Sequence, residues 1–130
     1  DENTDTAIGY ILCAPDYKRY KRIFKAEYLP RVKGCKKGDI IESWASVNGP
    51  AIFAKSYPAH MHINLEPGYQ HCGLGTKLFE TLIAHLKELG SKGIMLVVDS
   101  YNTNAINFYK KNKFDIIFPL RVCTVMARRF

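Results

Sequence analysis

Residues 59–98 constrain the fold more tightly than any other part of the chain. Ala59 to Leu65 alternates His60, His62 and Asn64 with Met61, Ile63 and Leu65, the two-residue period of a strand. Glu66-Pro67-Gly68 breaks that strand. From Leu74 to Leu89 the period becomes helical. Leu78, Phe79, Leu82, Ile83, Leu86 and Leu89 form one apolar stripe, and Gly90 supplies a left-handed C-terminal cap. Gly93 then leads into Ile94-Met95-Leu96-Val97-Val98, an unbroken apolar run typical of a central strand covered on both faces. A strand, an amphipathic helix and a doubly covered strand in succession require a layered α/β domain.

The flanking segments extend this plan. Ala7 to Cys13 is a short strand-like run that stops at Ala14-Pro15. Asp16 caps a helix in which Tyr17, Tyr20, Phe24 and Tyr28 occupy the core stripe, and Leu29-Pro30 ends it. Residues 31–56 read as a loop-rich connection punctuated by Gly34, Gly38, Gly49 and Pro50, with Trp44 as the only tryptophan. A second helix runs from about Thr103 to Lys111, burying Ala105, Phe108 and Tyr109, with Asn102 or Thr103 as its cap. Two strand-like runs, Asp115–Phe118 and Val122–Met126, flank Pro119. The C-terminal two-thirds therefore reads strand, helix, strand, helix, strand, strand, an α/β sandwich with a mixed sheet.

At 130 residues, 47% hydrophobic and 24% charged, the chain has the size and composition of one globular domain, residues 1–130, and neither disorder nor a collagen-like architecture fits. No apolar stretch approaches the roughly 20 residues of a membrane span, and the polar start at Asp1-Glu2-Asn3-Thr4-Asp5 does not read as a secretory signal. Cys13, Cys35, Cys72 and Cys123 show no CxxC spacing, so they read as reduced thiols of a cytoplasmic or nucleocytoplasmic protein with no metal site. A net charge of +7 attracts anions. The basic face Lys18, Arg19, Lys21, Arg22 and Lys25 has no aromatic residue interleaved for base stacking, which argues for a solvated helix face and against nucleic acid.

The chemistry concentrates in Gln70-His71-Cys72-Gly73-Leu74-Gly75-Thr76, between the strand and the first turn of the long helix. Two glycines let the backbone approach a bulky anion, and the free N–H groups of a helix N-terminus point at it. A diphosphate is the natural guest. The spacing is not that of a P-loop, and the third glycine of a dinucleotide fingerprint is absent.

Gln70-x-x-Gly73-x-Gly75 after Leu65-x-Pro67 resembles motif A of the GNAT superfamily of acetyl-CoA-dependent N-acetyltransferases. Asn102-x-x-Ala105-x-x-Phe108-Tyr109-x-x-x-Lys113-Phe114 resembles motif B of the same superfamily. The likeness covers roughly residues 57 to 130. A narrower likeness, carried by Gly9-Tyr10 through Ala14-Pro15-Asp16, the aromatic helix of Tyr17, Tyr20, Phe24 and Tyr28, and Tyr57 to Ile63, is to the acetyltransferase-like domains of the O-GlcNAcase type and their bacterial relatives.

The resemblance implies a mixed, mostly antiparallel central sheet flanked by helices, and an enzyme that passes the acetyl group of acetyl-CoA to a primary amine on a small molecule or a protein. It implies that Ile63, Asn64 and Leu65 line the cofactor arm, that His71, Cys72, Gly73, Leu74, Gly75 and Thr76 hold the diphosphate behind Gln70, and that Asn102 contacts the cofactor. Tyr109 would protonate the leaving thiolate, and Lys77, Lys110 and Lys111 are candidate phosphate contacts.

Three departures qualify the likeness. Lys113 stands where motif B carries glycine, so Asn112 is expected to take the left-handed position. The strand positions where a general base is expected hold Ala59 and Met61, while His60 and His62 fall on the opposite face. His62 is the candidate base, with Glu66 and Asp99 in reserve. The N-terminal strand and helices usual in the superfamily are expected to be missing, which leaves a sheet edge able to pair with another chain or a second copy. The alternative reading is a non-catalytic acetyl-CoA-binding (pseudo-acetyltransferase) domain of an O-GlcNAcase-like protein.

Overall fold

The computed structural model describes residues 5–31 and 47–130. Among the described residues the main elements follow one another as β1 (Gly9–Ala14), α1 (Tyr17–Ile23), β2 (Ala59–Leu65), α2 (Leu74–Glu88), β3 (Gly93–Asp99), α3 (Thr103–Lys111), β4 (Asp115–Pro119) and β5 (Cys123–Arg129). Short 3-10 turns cover Pro50–Phe53 and Pro67–Tyr69. The sheet order is β1-β2-β3-β5-β4, with β2 and β3 parallel and the other three pairs antiparallel. Trp44, Cys35, Gly34 and Gly38 lie outside the described residues.

The unbroken apolar run of β3 has a direct cause. Ile94, Leu96 and Val98 face α2 and α3, where they pack with Ala59, Met61, Phe79, Ile83, Leu86, Tyr109, Phe114 and Met126. Met95, one residue out of step, faces the other way and packs with Tyr17, Ala54 and Ala127. Each side of β3 therefore has its own core, so neither register carries a polar residue. Truncating a ring such as Phe79, buried at the centre of the larger core, costs about 3–5 kcal/mol by the usual cavity arithmetic.

Local signals set most boundaries. Asp16 caps α1 by accepting from the Arg19 N–H at 3.0 Å. Gly90 takes φ +70 and closes α2. Four expectations need correction. The helix after Asp16 does not run regularly to Tyr28: it widens into a π-helical stretch at Phe24–Tyr28, where Leu29 N–H reaches Phe24 O, and ends in a 3-10 turn at Leu29–Arg31. The widened turn carries Tyr28 off the core stripe, leaving it 54% exposed although its ring still stacks on Phe24 at 6.4 Å. Leu89 lies past the last turn of α2 and is 57% exposed. Lys113 itself adopts the left-handed conformation at φ +65, while Asn112 stays at φ −89 and donates its side-chain N–H to Phe108 O.

Candidate active site

The site originates in an unfinished strand pair. β2 and β3 are in register only at Ala59↔Ile94 and His60↔Met95. Beyond these residues β2 stays on β1 as far as Gly9↔Leu65, and β3 stays on β5 as far as Asp99↔Cys123. The two strands therefore part. Glu66 N–H donates to Ile8 O at 2.9 Å, so even-numbered positions of β2 turn their backbone groups toward β1. Ile63 and Leu65 turn theirs toward the gap, beyond the last β2–β3 pair at His60↔Met95. The Leu65 carbonyl is taken, because Gln70 donates its side-chain N–H to it at 2.9 Å. Gln70 thus fastens the turn to the end of the strand.

A cavity of about 470 Å³ occupies the gap. Ile63, Asn64 and Leu65 form one wall, and Gln70, His71, Gly73, Gly75 and Thr76 form the end at α2. Asn102, Asn104, Ala105, Phe108, Tyr109 and Lys111 close it from α3. Of the residues expected there from sequence, Cys72 and Leu74 belong to the same turn but do not line the cavity. The Cys72 thiol instead donates to Tyr69 O. Among the lysines, Lys111 lines it while Lys77 and Lys110 do not. Asn104 was not expected, yet a signal existed: Asn104, Phe108 and Lys111 are spaced i, i+4, i+7 and so share one face of α3.

The N-terminus of α2 has no side-chain cap. Lys77 is the first residue whose N–H reaches a helix carbonyl, that of Gly73 at 3.1 Å. Leu74, Gly75 and Thr76 therefore keep N–H groups without an intrahelical acceptor. The two glycines serve different ends. Gly73 sits at φ +85, a conformation L side chains rarely adopt, with open space where a Cβ would be. At Gly75 a Cβ would stand 3.3 Å from Leu65 Cδ1 and from the Phe108 ring, so that glycine permits α2 to seat closely on β2 and α3. His71 shares the turn at φ +61.

Among the residues that line the cavity, Tyr109 is the buried titratable side chain. Its ring packs against Phe108 and Phe114, and burial raises its phenol above the ordinary value. No hydrogen bond to another described residue holds its hydroxyl.

The histidines of β2 lie across the sheet. Ala59 and Met61 are buried on the α2/α3 side, whereas His60, 8% exposed, meets Tyr17 edge-on at 5.2 Å and stacks on Tyr20 at 6.3 Å. Burial, then the nearby His62, lowers the His60 pKa to about 4. His62 is exposed, 4.9 Å from His60 between ring centres, and does not line the cavity.

The donor set fits an elongated, anion-bearing thioester cofactor: unpaired helix N–H groups for a diphosphate, and a free strand edge for an amide-bearing arm. Among the described residues no cluster of His, Cys, Asp or Glu could hold a metal ion, and no helix is long and apolar enough to cross a membrane.

Comparison with known proteins agrees with that chemistry. The crystal structure of SsHAT is similar over 99% of this chain and 69% of its own, at TM-score 0.84 and 28% identity. A Bacillus anthracis protein described as a streptothricin acetyltransferase, solved with acetyl coenzyme A, is 25% identical over 58% of this chain and 50% of its own, at TM-score 0.52. Mycothiol acetyltransferase from Geodermatophilus obscurus is 29% identical over 72 residues, which are 55% of this chain and 23% of that protein's length. Acetyl-CoA is the cofactor to which both this donor set and these relatives point. The Acetyltransferase (GNAT) family profile matches residues 1–114, and the chain belongs to that family.

Proposed function

We propose that this chain is an N-acetyltransferase that moves the acetyl group of acetyl-CoA to a primary amine. One observation carries the reading: a single cavity between parted strands has an uncapped helix end at one side and the Tyr109 phenol at another. Acetyl-CoA supplies the activated acetyl thioester. Leu74, Gly75 and Thr76 offer three N–H groups to its diphosphate, with Gly73, His71 and Cys72 shaping the turn. Ile63 and Leu65 offer backbone groups to the pantetheine arm, with the side chain of Asn64 beside them and Asn102 across the gap. Among the described lysines, Lys111 lines the cavity and is the candidate for a phosphate contact.

Tyr109 acts as general acid. A phenol raised by burial, on a residue that lines the cavity, keeps its proton through neutral pH. His62, which remains accessible to solvent, is the base that takes the proton of the incoming amine through water. The free thiols of Cys13, Cys72 and Cys123 support a cytoplasmic or nucleocytoplasmic setting. The likeness to O-GlcNAcase-type domains rests on Gly9-Tyr10 through Ala14-Pro15-Asp16, the aromatic helix and Tyr57 to Ile63, and it is compatible with this reading and with the second one below. β1, at the edge of the sheet, is where a further chain or a second copy would pair.

A second reading, a non-catalytic acetyl-CoA-binding domain, draws on one observation: the cavity side of β2 holds Ala59 and Met61 and no base. Calorimetric titration with acetyl-CoA, followed by turnover on a panel of amines, separates the two. Binding with Tyr109-dependent acetylation supports the enzyme. Binding with no turnover on any amine leaves the binding domain.

A further inference from the structure

The face of the sheet opposite α2 and α3 is covered at one end and bare at the other. α1 lies over its covered end, where Tyr17 and Tyr20 meet His60 and where Tyr17 packs with Met95. Two residues further along each strand the cover stops. Leu12 pairs directly with His62, and Tyr10 with Asn64, so all four side chains share the bare face. Leu12 is 61% exposed and Tyr10 51%. Across the parted strands Val97, two residues beyond Met95, turns to the same side.

This patch is continuous with the cofactor cavity. Asn64 belongs to both, since it stands beside Tyr10 on the bare face and lines the cavity. An amine resting on Leu12 and Tyr10 would therefore lie beside His62 at the mouth of the gap that holds the thioester.

The charges around the patch select among amines. β1 and β2 contain no acidic residue. α1 and its continuation carry Glu27 against Lys18, Arg19, Lys21, Arg22 and Lys25. Of the described carboxylates flanking these strands, Asp5 precedes β1, Glu66 follows the end of β2, and Asp99 already accepts from the Tyr101 N–H at 2.8 Å. Among the described residues the cations of α1 and its continuation outnumber the carboxylates beside this face, so a triply charged polyamine would meet an unfavourable field from a chain of net charge +7. A single amine on an apolar body would bury that body on Leu12 and Tyr10. It would also give up its proton more readily on a face whose strands β1 and β2 hold no carboxylate to stabilise the ammonium.

We propose that Tyr10, Leu12 and His62 form the acceptor seat, and that it takes a monoamine with an apolar or aromatic body while turning polyamines away. The proposal rests on the acetyltransferase reading above. The test uses the full chain with phenethylamine and spermidine as probes, measuring both acetylation and equilibrium binding to protein saturated with unreactive coenzyme A.

The expected result is a kcat/KM for phenethylamine about tenfold or more above that for spermidine. Leu12→Thr keeps a β-branched residue on the strand and should weaken phenethylamine binding by roughly fivefold, with the affinity for acetyl-CoA unchanged. Spermidine acetylated as well as or better than phenethylamine overturns the seat and leaves the acetyltransferase reading intact. Phenethylamine binding that depends on Leu12, without turnover, supports the seat and sinks the catalytic reading. Binding or turnover indifferent to Leu12→Thr and to Tyr10→Ser also overturns the seat, as does no binding of either amine.

Discussion

Two helices bring their N-terminal ends to one cavity and finish those ends differently. α3 closes its own, because Asn102 Oδ1 accepts from the Ala105 N–H at 3.0 Å. α2 begins at a glycine with no side chain to offer, and its first three N–H groups find no helix carbonyl. A side-chain cap is worth about 0.5–2 kcal/mol, so α2 forgoes stability that α3 secures. The difference teaches a division of labour. An end left open is available to a ligand, whereas a helix that must hold Tyr109 still gains from being closed.

The most severe way to break that contrast is to close α2. Gly73→Glu puts a carboxylate at the open N–H groups and forces a side chain into φ +85. Calorimetry should show acetyl-CoA affinity falling by at least roughly a hundredfold. Gly73→Asn is the control for backbone strain, since asparagine tolerates the left-handed region and carries no charge, and it should keep affinity within about tenfold of the parent. Equal affinity in the Glu variant and the parent would mean the open end is not the anion site.

Tyr109→Phe probes the other helix. Removing only the hydroxyl should lower kcat for amine acetylation by about a hundredfold while the Kd for acetyl-CoA stays unchanged. If Kd and kcat deteriorate together, α3 contributes binding and the contrast between the helices dissolves.

Much of this is legible in the sequence. The limits of β2 and α3 followed from a clean change of period at Pro58, Leu65 and Asn102, and the central place of β3 followed from its lack of alternation. The glycine turn announced the open end of α2. What the sequence hid depends on packing between elements. Gly75 looked like a second concession to a ligand, but its missing Cβ is needed by Leu65 and Phe108, neither of them near it in sequence. The role of Gln70 as a fastening to Leu65 O was equally invisible, because the bond spans a break in the chain's regular structure. The widening of α1 at Phe24 was hidden for another reason: the aromatic spacing is the same for an α-helix and for a helix that loosens halfway.

The two histidines of β2 repeat the open-and-closed contrast within one strand. His60 is buried among rings and held neutral, with a pKa lowered to about 4, while His62 faces solvent. A histidine whose folded pKa is lowered binds fewer protons than its unfolded counterpart between the two values. Its contribution to stability is therefore complete above pH 6.5 and is lost as pH falls from 6.5 toward 4. The loss is on the order of 2–3 kcal/mol. Urea unfolding at pH 7 and pH 4.5 should show it in the parent, and His60→Phe, which keeps a ring in the cluster, should lose that part of the slope. An unchanged slope in the variant would place the acid sensitivity elsewhere.

The mildest test returns to the helix that caps itself. Asn102→Ala leaves the Ala105 N–H without its acceptor and should cost about 1 kcal/mol, read as a Tm lower by a few degrees. Asn102→Asp separates the two things this residue could do. Aspartate caps a helix as well as asparagine, so stability should be restored, but it also places a negative charge at a wall of the cavity. If Asn102 touches the cofactor, the Asp variant should bind acetyl-CoA more weakly than the parent at equal Tm. If binding is unaffected, Asn102 serves α3 alone, and the anion is held from the α2 side without help from its partner.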